Sequence, residues 1–505
     1  MSSTLSRRSF LKTTGAALVT SPFLARCRAR QKKPNLLFLW TDQQRFDTLA
    51  AYGNTVINVP NLNKLAEKSI VFEKAYVSQP VCTPSRSTVM TGLWPHQNGC
   101  TANNIPLRQE TPCLPQLIDD PEYATAYMGK WHLGDEIFAQ HGFGEWVAIE
   151  DGYTKHYGPE RDKSERSEYH HFLIEHGYQP DRDNNTFSRG FAAHRPLEHC
   201  KPAFLEKSAS DFLRHNKDRP FMLYINFLEP HTPFYGPLND LHDPERVGLP
   251  ENAFDPLEEN EPLRYKVSRE AMQQRYGSTP EKWKELNAIY HGLVTQVDQA
   301  VGGILDTLDQ MGLRDNTIIV FTSDHGEMMS SHGMFAKQYM YEESARVPWL
   351  MSVPGMTEKQ EIYHEPVSHI DLVPTLLELM GKPKKAGSLP GKSLVNRITG
   401  KESRHQDVFV EWNPNRVHYV QGTDLATPQE IEKIEQEHVR TVVTPDGWKL
   451  CLSDCDKHQL FHLESDPLET TNLYGRAEYQ EVVDRLKKKI LDWQKQVGDH
   501  LTLRV

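Results

Sequence analysis

Ile70-Val71-Phe72-Glu73-Lys74-Ala75-Tyr76, then Cys82-Thr83-Pro84-Ser85-Arg86, then Thr91-Gly92: this stretch joins a strand-like apolar run to the start of a helix. Its β-branched and aromatic residues favour a strand over residues 70–76. Pro84 suits a first helical turn, where its missing N–H costs nothing, so a helix is predicted to run through Val89 and Met90 and stop at Gly92. Cys82 then stands at the positive helix end, where free N–H groups and the aligned dipole favour an anion. Taken alone, it also fits an ordinary half-buried cysteine ahead of a helix.

The same grammar recurs along the chain. Apolar runs at 35–40, 124–128, 221–227 and 317–321 lead into Thr41-Asp42-Gln43-Gln44-Arg45, Gly129-Lys130-Trp131-His132, Glu229-Pro230-His231-Thr232-Pro233 and Ser323-Asp324-His325-Gly326. Helical periodicity between them, at 61–68, 204–215, 282–311 and 370–380, predicts an α/β fold: a large mixed, mostly parallel sheet sandwiched by helices. In such sheets the ligand crevice lies beyond the carboxyl ends of the strands, so the five polar clusters are expected to converge. Residues 136–200, rich in charge, aromatics and histidine, read as an insertion able to select substrate. After a linker-like stretch at 382–403, strand-like runs at 407–411, 439–444, 448–452 and 459–463 and an amphipathic helix at 478–497 predict a smaller C-terminal α+β subdomain, residues 404–505, beside a catalytic region at 34–403.

Among 505 residues, 57 Lys and Arg stand against 68 Asp and Glu, a net charge of −11 that argues against nucleic acid or any non-specific polyanion partner. Selectivity for an anionic substrate therefore has to come from a local positive pocket. Residues 1–33 hold eight of those cations and no acid, and Ser6-Arg7-Arg8-Ser9-Phe10-Leu11-Lys12 ahead of an apolar stretch resembles a twin-arginine export signal. Export to the periplasm is expected, with no integral membrane segment in the mature protein. Leu24-Ala25-Arg26-Cys27 resembles a lipoprotein cleavage box, with Arg26 a poor fit, so lipid anchoring at Cys27 is the lesser alternative. The seven cysteines lack paired metal-ligand spacing, and Cys451 and Cys455 are read as unpaired core residues, a disulfide being the other choice.

Cys82-x-Pro84-Ser85-Arg86 with Thr91-Gly92 resembles the signature of the type I sulfatases of the alkaline phosphatase superfamily, and Gly129-Lys130-Trp131-His132-Leu133-Gly134 looks like their second signature. The resemblance extends over about residues 34–497 through Val59-Pro60-Asn61, Ala345-Arg346-Val347-Pro348 and Leu460-Phe461-His462-Leu463-Glu464-Ser465-Asp466-Pro467. It implies an alkaline phosphatase-like fold and a Cys82 oxidised to formylglycine (3-oxoalanine) by a maturation enzyme. Calcium, or magnesium, would be held by Asp42, Gln43, Asp324 and His325 together with residue 82; Gln43 stands where many members have Asp, and His325 where Asn is common. Taken alone, each of these pairs also reads as a turn or helix cap.

The resemblance further implies that Arg86 holds the hydrated side chain, that Lys130 and Lys337 bind sulfate from opposite sides, and that His132 hydrogen-bonds the hydrate. His231 would protonate the departing alcohol as a hydroxyl of residue 82 attacks sulfur in line. The expected substrate is a sulfated polysaccharide or its oligosaccharides. The alternatives are choline sulfate, a phosphonate monoester or phosphodiester for a relative in the same superfamily, or a non-catalytic sulfated-glycan binder. Tyr153, His156, Tyr157, Arg161, His170, His171 and Arg189 of the insertion are candidates for sugar or uronate contact, about half of them being expected to serve packing instead.

Overall fold

The strand β1, Asn35–Asp42, is buried along its whole length and sits inside the sheet. Its sequence, Asn-Leu-Leu-Phe-Leu-Trp-Thr-Asp, shows why: an unbroken apolar run suits a strand covered on both faces. Leu37 and Leu39 enter a core shared with the helices Lys201–His215 and Pro280–Gln310, while Leu36, Phe38 and Trp40 enter a second core with Val89, Met90 and the helix Leu372–Leu379. The period-two alternation of a strand thus makes two hydrophobic layers from one segment.

A computed structural model describes residues 33–256, 258–402 and 406–503, and Lys33–Val505 forms one unit. The strands of its large sheet are β1, β2 (Ile70–Tyr76), β3 (Ala124–Gly129), β4 (Glu145–Val147), β5 (Phe221–Pro230), β6 (Thr317–Ser323), β7 (Arg346–Val347), β8 (Trp349–Ser352) and β9 (Glu361–Ser368). They follow the order β4-β3-β5-β1-β6-β8-β2-β7, with β9 beside β2. Pairing from β4 to β6 is parallel, β8 runs antiparallel to both β6 and β2, and β9 is again parallel to β2. This is the expected mixed, mostly parallel α/β sheet. Register then places the chemistry: Thr41 pairs with Ser323 and Asp42 with Pro230, and Gly129 pairs with Asn226, so the residues that follow leave the sheet at one edge.

A second, antiparallel sheet has the order β10 (Val408–Trp412), β11 (Val439–Val443), β12 (Trp448–Ser453) and β13 (Gln459–His462). One face, with Val408, Val410 and Trp412, packs on Tyr76, Val81 and Met340, and the other is covered by Val483, Leu486 and Ile490 of the helix Gln480–Val497.

Three features differ from the sequence expectations. The region 136–200 contributes β4 to the sheet edge, and Tyr157, Tyr169 and Leu173 are buried, so the segment shares the main cores. The linker-like stretch 382–403 carries the short helices Pro383–Ala386 and Val395–Ile398, with Ala386 and Leu394 in the second core. The helix Leu263–Tyr276 and the strands β7 to β9 went unanticipated, being short or weakly periodic. Cys451 and Cys455 are not bonded to each other. The twin-arginine-like motif and Cys27 lie outside the described residues. No helix among the described residues is long and apolar enough to cross a membrane.

Candidate active site

Cys82 is the first residue of the helix Cys82–Thr91, entered from extended Val81 and closed by Gly92 in the left-handed conformation. Its thiol is buried, 3.2 Å from His325 Nε2 and 3.9 Å from Asp42 Oδ1. Asp42 ends β1, and Asp324 and His325 follow β6, its neighbour. One donor atom from each of Asp42, Cys82, Asp324 and His325 lies within 4.8 Å of the others. All four residues are buried.

Arg86, one turn along the same helix, is fully buried beneath this cluster. Its Nε donates to Asp324 Oδ2 at 2.8 Å and its Nη2 to Asp42 Oδ2 at 2.9 Å. Its Nη1 donates to the Lys130 carbonyl at 2.8 Å and to Asn226 Oδ1 at 3.0 Å. The planar fork binds two carboxylates from two edges while its third nitrogen reaches the Lys130 carbonyl and Asn226, a spread that the point charge of a lysine does not offer. Two of its four hydrogen bonds thus orient the two acids.

The donor set fits a hard divalent cation. His325 Nδ1–H donates to the Gly326 carbonyl at 2.9 Å, which leaves the Nε2 lone pair aimed at the cluster, 3.6 Å from Asp42 Oδ1 and 3.5 Å from Asp324 Oδ1. A lone pair facing two carboxylate oxygens in a buried site is repulsive unless positive charge stands between them, as a proton or a metal ion supplies. The Gln43 amide is set by its neighbours. Its Nε2 donates to Glu327 and its Oε1 accepts from Lys337, so the oxygen faces the cationic side of the site.

Lys130 follows β3 and donates to Asp42 Oδ2. It leaves the strand through Gly129, whose φ of +106° and close approach to the Asn226 carbonyl, where an added Cβ would stand 1.9 Å away, exclude a side chain. Burial opposes the Lys130 charge, but Asp42 outweighs it and holds the ammonium pKa up. Burial would likewise raise the Asp42 carboxyl, yet Lys130, His231, Arg86 and His325 hold it well below the usual range.

His231 follows β5. Its Nδ1–H donates to the Thr232 carbonyl at 2.7 Å, which leaves the lone pair on Nε2 to take up a second proton. Burial and then the charge of Lys337, with Lys130 and Arg189, push its pKa well down. His132 adopts φ +59°, its Nε2 lies 3.0 Å from Asn104 Oδ1, and its buried Nδ1 has no partner. The structure thus gathers Asp42, Gln43, Cys82, Arg86, Lys130, His132, His231, Asp324, His325 and Lys337 at one sheet edge. Asn104, Asn226 and Glu327 were missed in the sequence. As single polar residues outside any motif, they carried no signal.

Beside this edge opens a cavity of about 500 Å³ lined by the insertion, Asn104, Thr232 and Pro233. Arg189 forms a two-point ion pair with Glu150, donates to Tyr153 Oη at 2.8 Å and reaches to 3.5 Å from His231 Nδ1. Tyr153, His156, His170 and Arg189 line the cavity. Tyr157 is core, and Arg161 pairs with Asp135 over the Phe138 ring. His171 is exposed outside the lining.

A buried cluster of metal-ligating groups flanked by cations, at the carboxyl ends of a mostly parallel sheet, suits an enzyme of anionic esters. The family profile described as Sulfatase matches residues 34–382, and that of the N-sulphoglucosamine sulphohydrolase C-terminal region matches residues 330–496. An uncharacterized sulfatase of Escherichia coli is 30% identical over 479 residues, 93% of this chain and 88% of that protein. An ulvan-active sulfatase of Formosa agariphila is 27% identical, covering 97% of this chain and 88% of its own length. The solved structure of a phosphonate monoester hydrolase from Silicibacter pomeroyi shares the fold, with a TM-score of 0.76 at 22% identity over 92% of this chain and 96% of that one. The chain belongs to the sulfatase family and is a sulfuric ester hydrolase.

Proposed function

We propose that this enzyme removes sulfate from a sulfated polysaccharide or its oligosaccharides, using a formylglycine made from Cys82 and a divalent cation, calcium in preference to magnesium. The observation that supports this most is one buried cluster: the thiol at a helix N-terminus, two carboxylates and the Nε2 of His325, flanked by Lys130 and Lys337. The residues that would hold the cation are Asp42, Asp324, His325 and residue 82, with the Gln43 oxygen at its edge. Bound there, a cation supplies charge for a sulfate oxygen and for the nucleophile. The formylglycine hydrate supplies a hydroxyl nucleophile whose partner hydroxyl permits release of sulfate, where a simple alcohol would stay blocked.

The chain's own residues do the rest. Lys130 and Lys337 bind the sulfate oxygens where negative charge gathers, usually the largest catalytic contribution. Arg86 keeps both carboxylates in place. His231 Nε2 faces the bridging oxygen. The low pKa of this imidazole comes from burial and neighbouring cations, and the arriving sulfate anion offsets those cations, so the proton is gained with substrate and passed to the leaving alkoxide.

Ulvan activity in the name of one relative supports a polysaccharide substrate. The twin-arginine-like segment supports export to the periplasm, after Cys82 has met its maturation enzyme. Peptide mass analysis of natively produced protein is expected to show residue 82 as an aldehyde. Sulfate release is expected from defined sulfated oligosaccharides, in preference to choline sulfate and an aryl phosphodiester. An active protein with an unmodified thiol refutes the mechanism, and preference for the phosphodiester refutes the substrate class.

A further inference from the structure

The cavity beside His231 is far more positive than the protein around it. Two acids line it, and both are spent within its wall. Glu150 is held through both oxygens by Arg189 and through one of them also by Lys201 at 2.9 Å. Asp151 accepts from Ser167 N at 2.7 Å and lies 3.1 Å from His170 Nδ1. Three further cations of the lining, Lys155, Arg182 and Arg275, are exposed and form no ion pair among the described residues. They come from three separate segments: the loop after β4, the loop before Arg189, and the last turn of the helix Leu263–Tyr276. In a chain with net charge −11, three unpaired cations around one concave opening form a local field of opposite sign to the whole.

The scissile sulfate does not account for them. Its charge is met by Lys130, beside Asp42, and Lys337, beside Gln43, neither of which lines the cavity. A neutral sugar in the cavity would leave three cations without a counter-charge on the ligand. We infer that the cavity selects a saccharide carrying a second anionic group, a uronate carboxylate or another sulfate, on the unit next to the one that is desulfated. Lys155, Arg182 and Arg275 meet that group. The inference rests on the sulfatase reading above and deepens it by naming the substrate class. Because these cations are solvated, the effect is one of modest strength and marked salt dependence.

The test measures binding, so that it stands apart from turnover. Cys82→Ala protein, which leaves the ligand intact, is titrated calorimetrically with three matched disaccharides that share one sulfated sugar. Their second unit is neutral, a uronate, or a second sulfated sugar. Sulfate release by the wild type on the same three compounds is followed separately and reports on the sulfatase reading alone. The doubly anionic ligands are expected to bind roughly tenfold more tightly than the neutral one, about 1.4 kcal/mol, with the gap shrinking as salt rises. Which of the two binds better identifies the second anion. Combined Lys155→Gln, Arg182→Gln and Arg275→Gln substitution should abolish that preference while circular dichroism and thermal midpoint show a folded protein. Equal affinity for all three ligands, absence of binding, or a preference that survives the triple substitution overturns the inference.

Discussion

Replacing Arg86 with lysine keeps the charge and removes the fork. In the native site the guanidinium makes four hydrogen bonds, to Asp324 Oδ2, Asp42 Oδ2, the Lys130 carbonyl and Asn226 Oδ1, at 2.8 to 3.0 Å and fully buried. A lysine ammonium is a single point and cannot reach both carboxylates and the β3–β5 side together, so at least two bonds are lost. At about 1.5–3 kcal/mol for each bond to a charged group, the variant should lose roughly 3–6 kcal/mol of stability. The loss should be larger in chelator than in saturating calcium, because without a cation the charge of the two acids is offset only by the chain's own cations, among which Arg86 bridges both. Loosened carboxylates should also lower kcat/KM by about 100-fold, the scale expected when catalytic groups move by about 1 Å. Urea unfolding midpoints with calcium and with chelator, beside initial rates of sulfate release, measure all three effects. An Arg86→Lys protein that unfolds with the wild type and turns over within twofold of it would refute the assignment of Arg86 as the organiser of the acids.

His231→Ala should cost about 10²–10⁴-fold on a sugar sulfate and less than about tenfold on nitrophenyl sulfate, whose leaving group needs no proton; equal losses assign His231 to binding. Gly129→Ala would drive a Cβ to 1.9 Å from the Asn226 carbonyl at φ +106°, and should cost roughly 3 kcal/mol or more, seen as a lowered urea midpoint. His96 Nδ1 lies 2.7 Å from Glu411 Oε2, and although burial lowers its pKa, that hydrogen bond and charge raise it above the ordinary value. Its stabilising effect is therefore full below the unfolded-state pKa and fades as pH rises through the raised folded value. The advantage of wild type over His96→Gln in urea midpoint should shrink as pH rises from below the ordinary histidine pKa through the raised folded value, and a constant advantage means that the pair is not ionic.

Strands such as β2 and β13, and the helices at 201–215 and 280–310, were legible because hydrophobic period and proline and glycine signals are local properties of the chain. The polar clusters that follow the strands were legible too, since the Cys82 and Lys130 motifs are contiguous and each follows a strand, whereas Asn104, Asn226 and Glu327 were not. What those residues do to one another was not legible. Arg86 meets Asp324 across 238 positions of sequence. That meeting is decided by the parallel register of β1 with β6 and by the placement of β2 through the short antiparallel β8, which no local pattern announces. The amide orientation of Gln43 depends on Glu327, and the proton on His231 depends on where Lys337 and Arg189 reach. In the insertion, one composition divided into cavity wall at Tyr153, His170 and Arg189 and into core or outer surface at Tyr157, Arg161 and His171. Aromatic and charged side chains suit burial, pairing or a ligand equally well until packing assigns them a neighbour. Sequence alone therefore determined the fold class, the positions of the strand ends and the chemistry on offer there. Tertiary structure decided which charges are spent on one another and which remain for a substrate, because that balance depends on contacts between segments far apart in the chain.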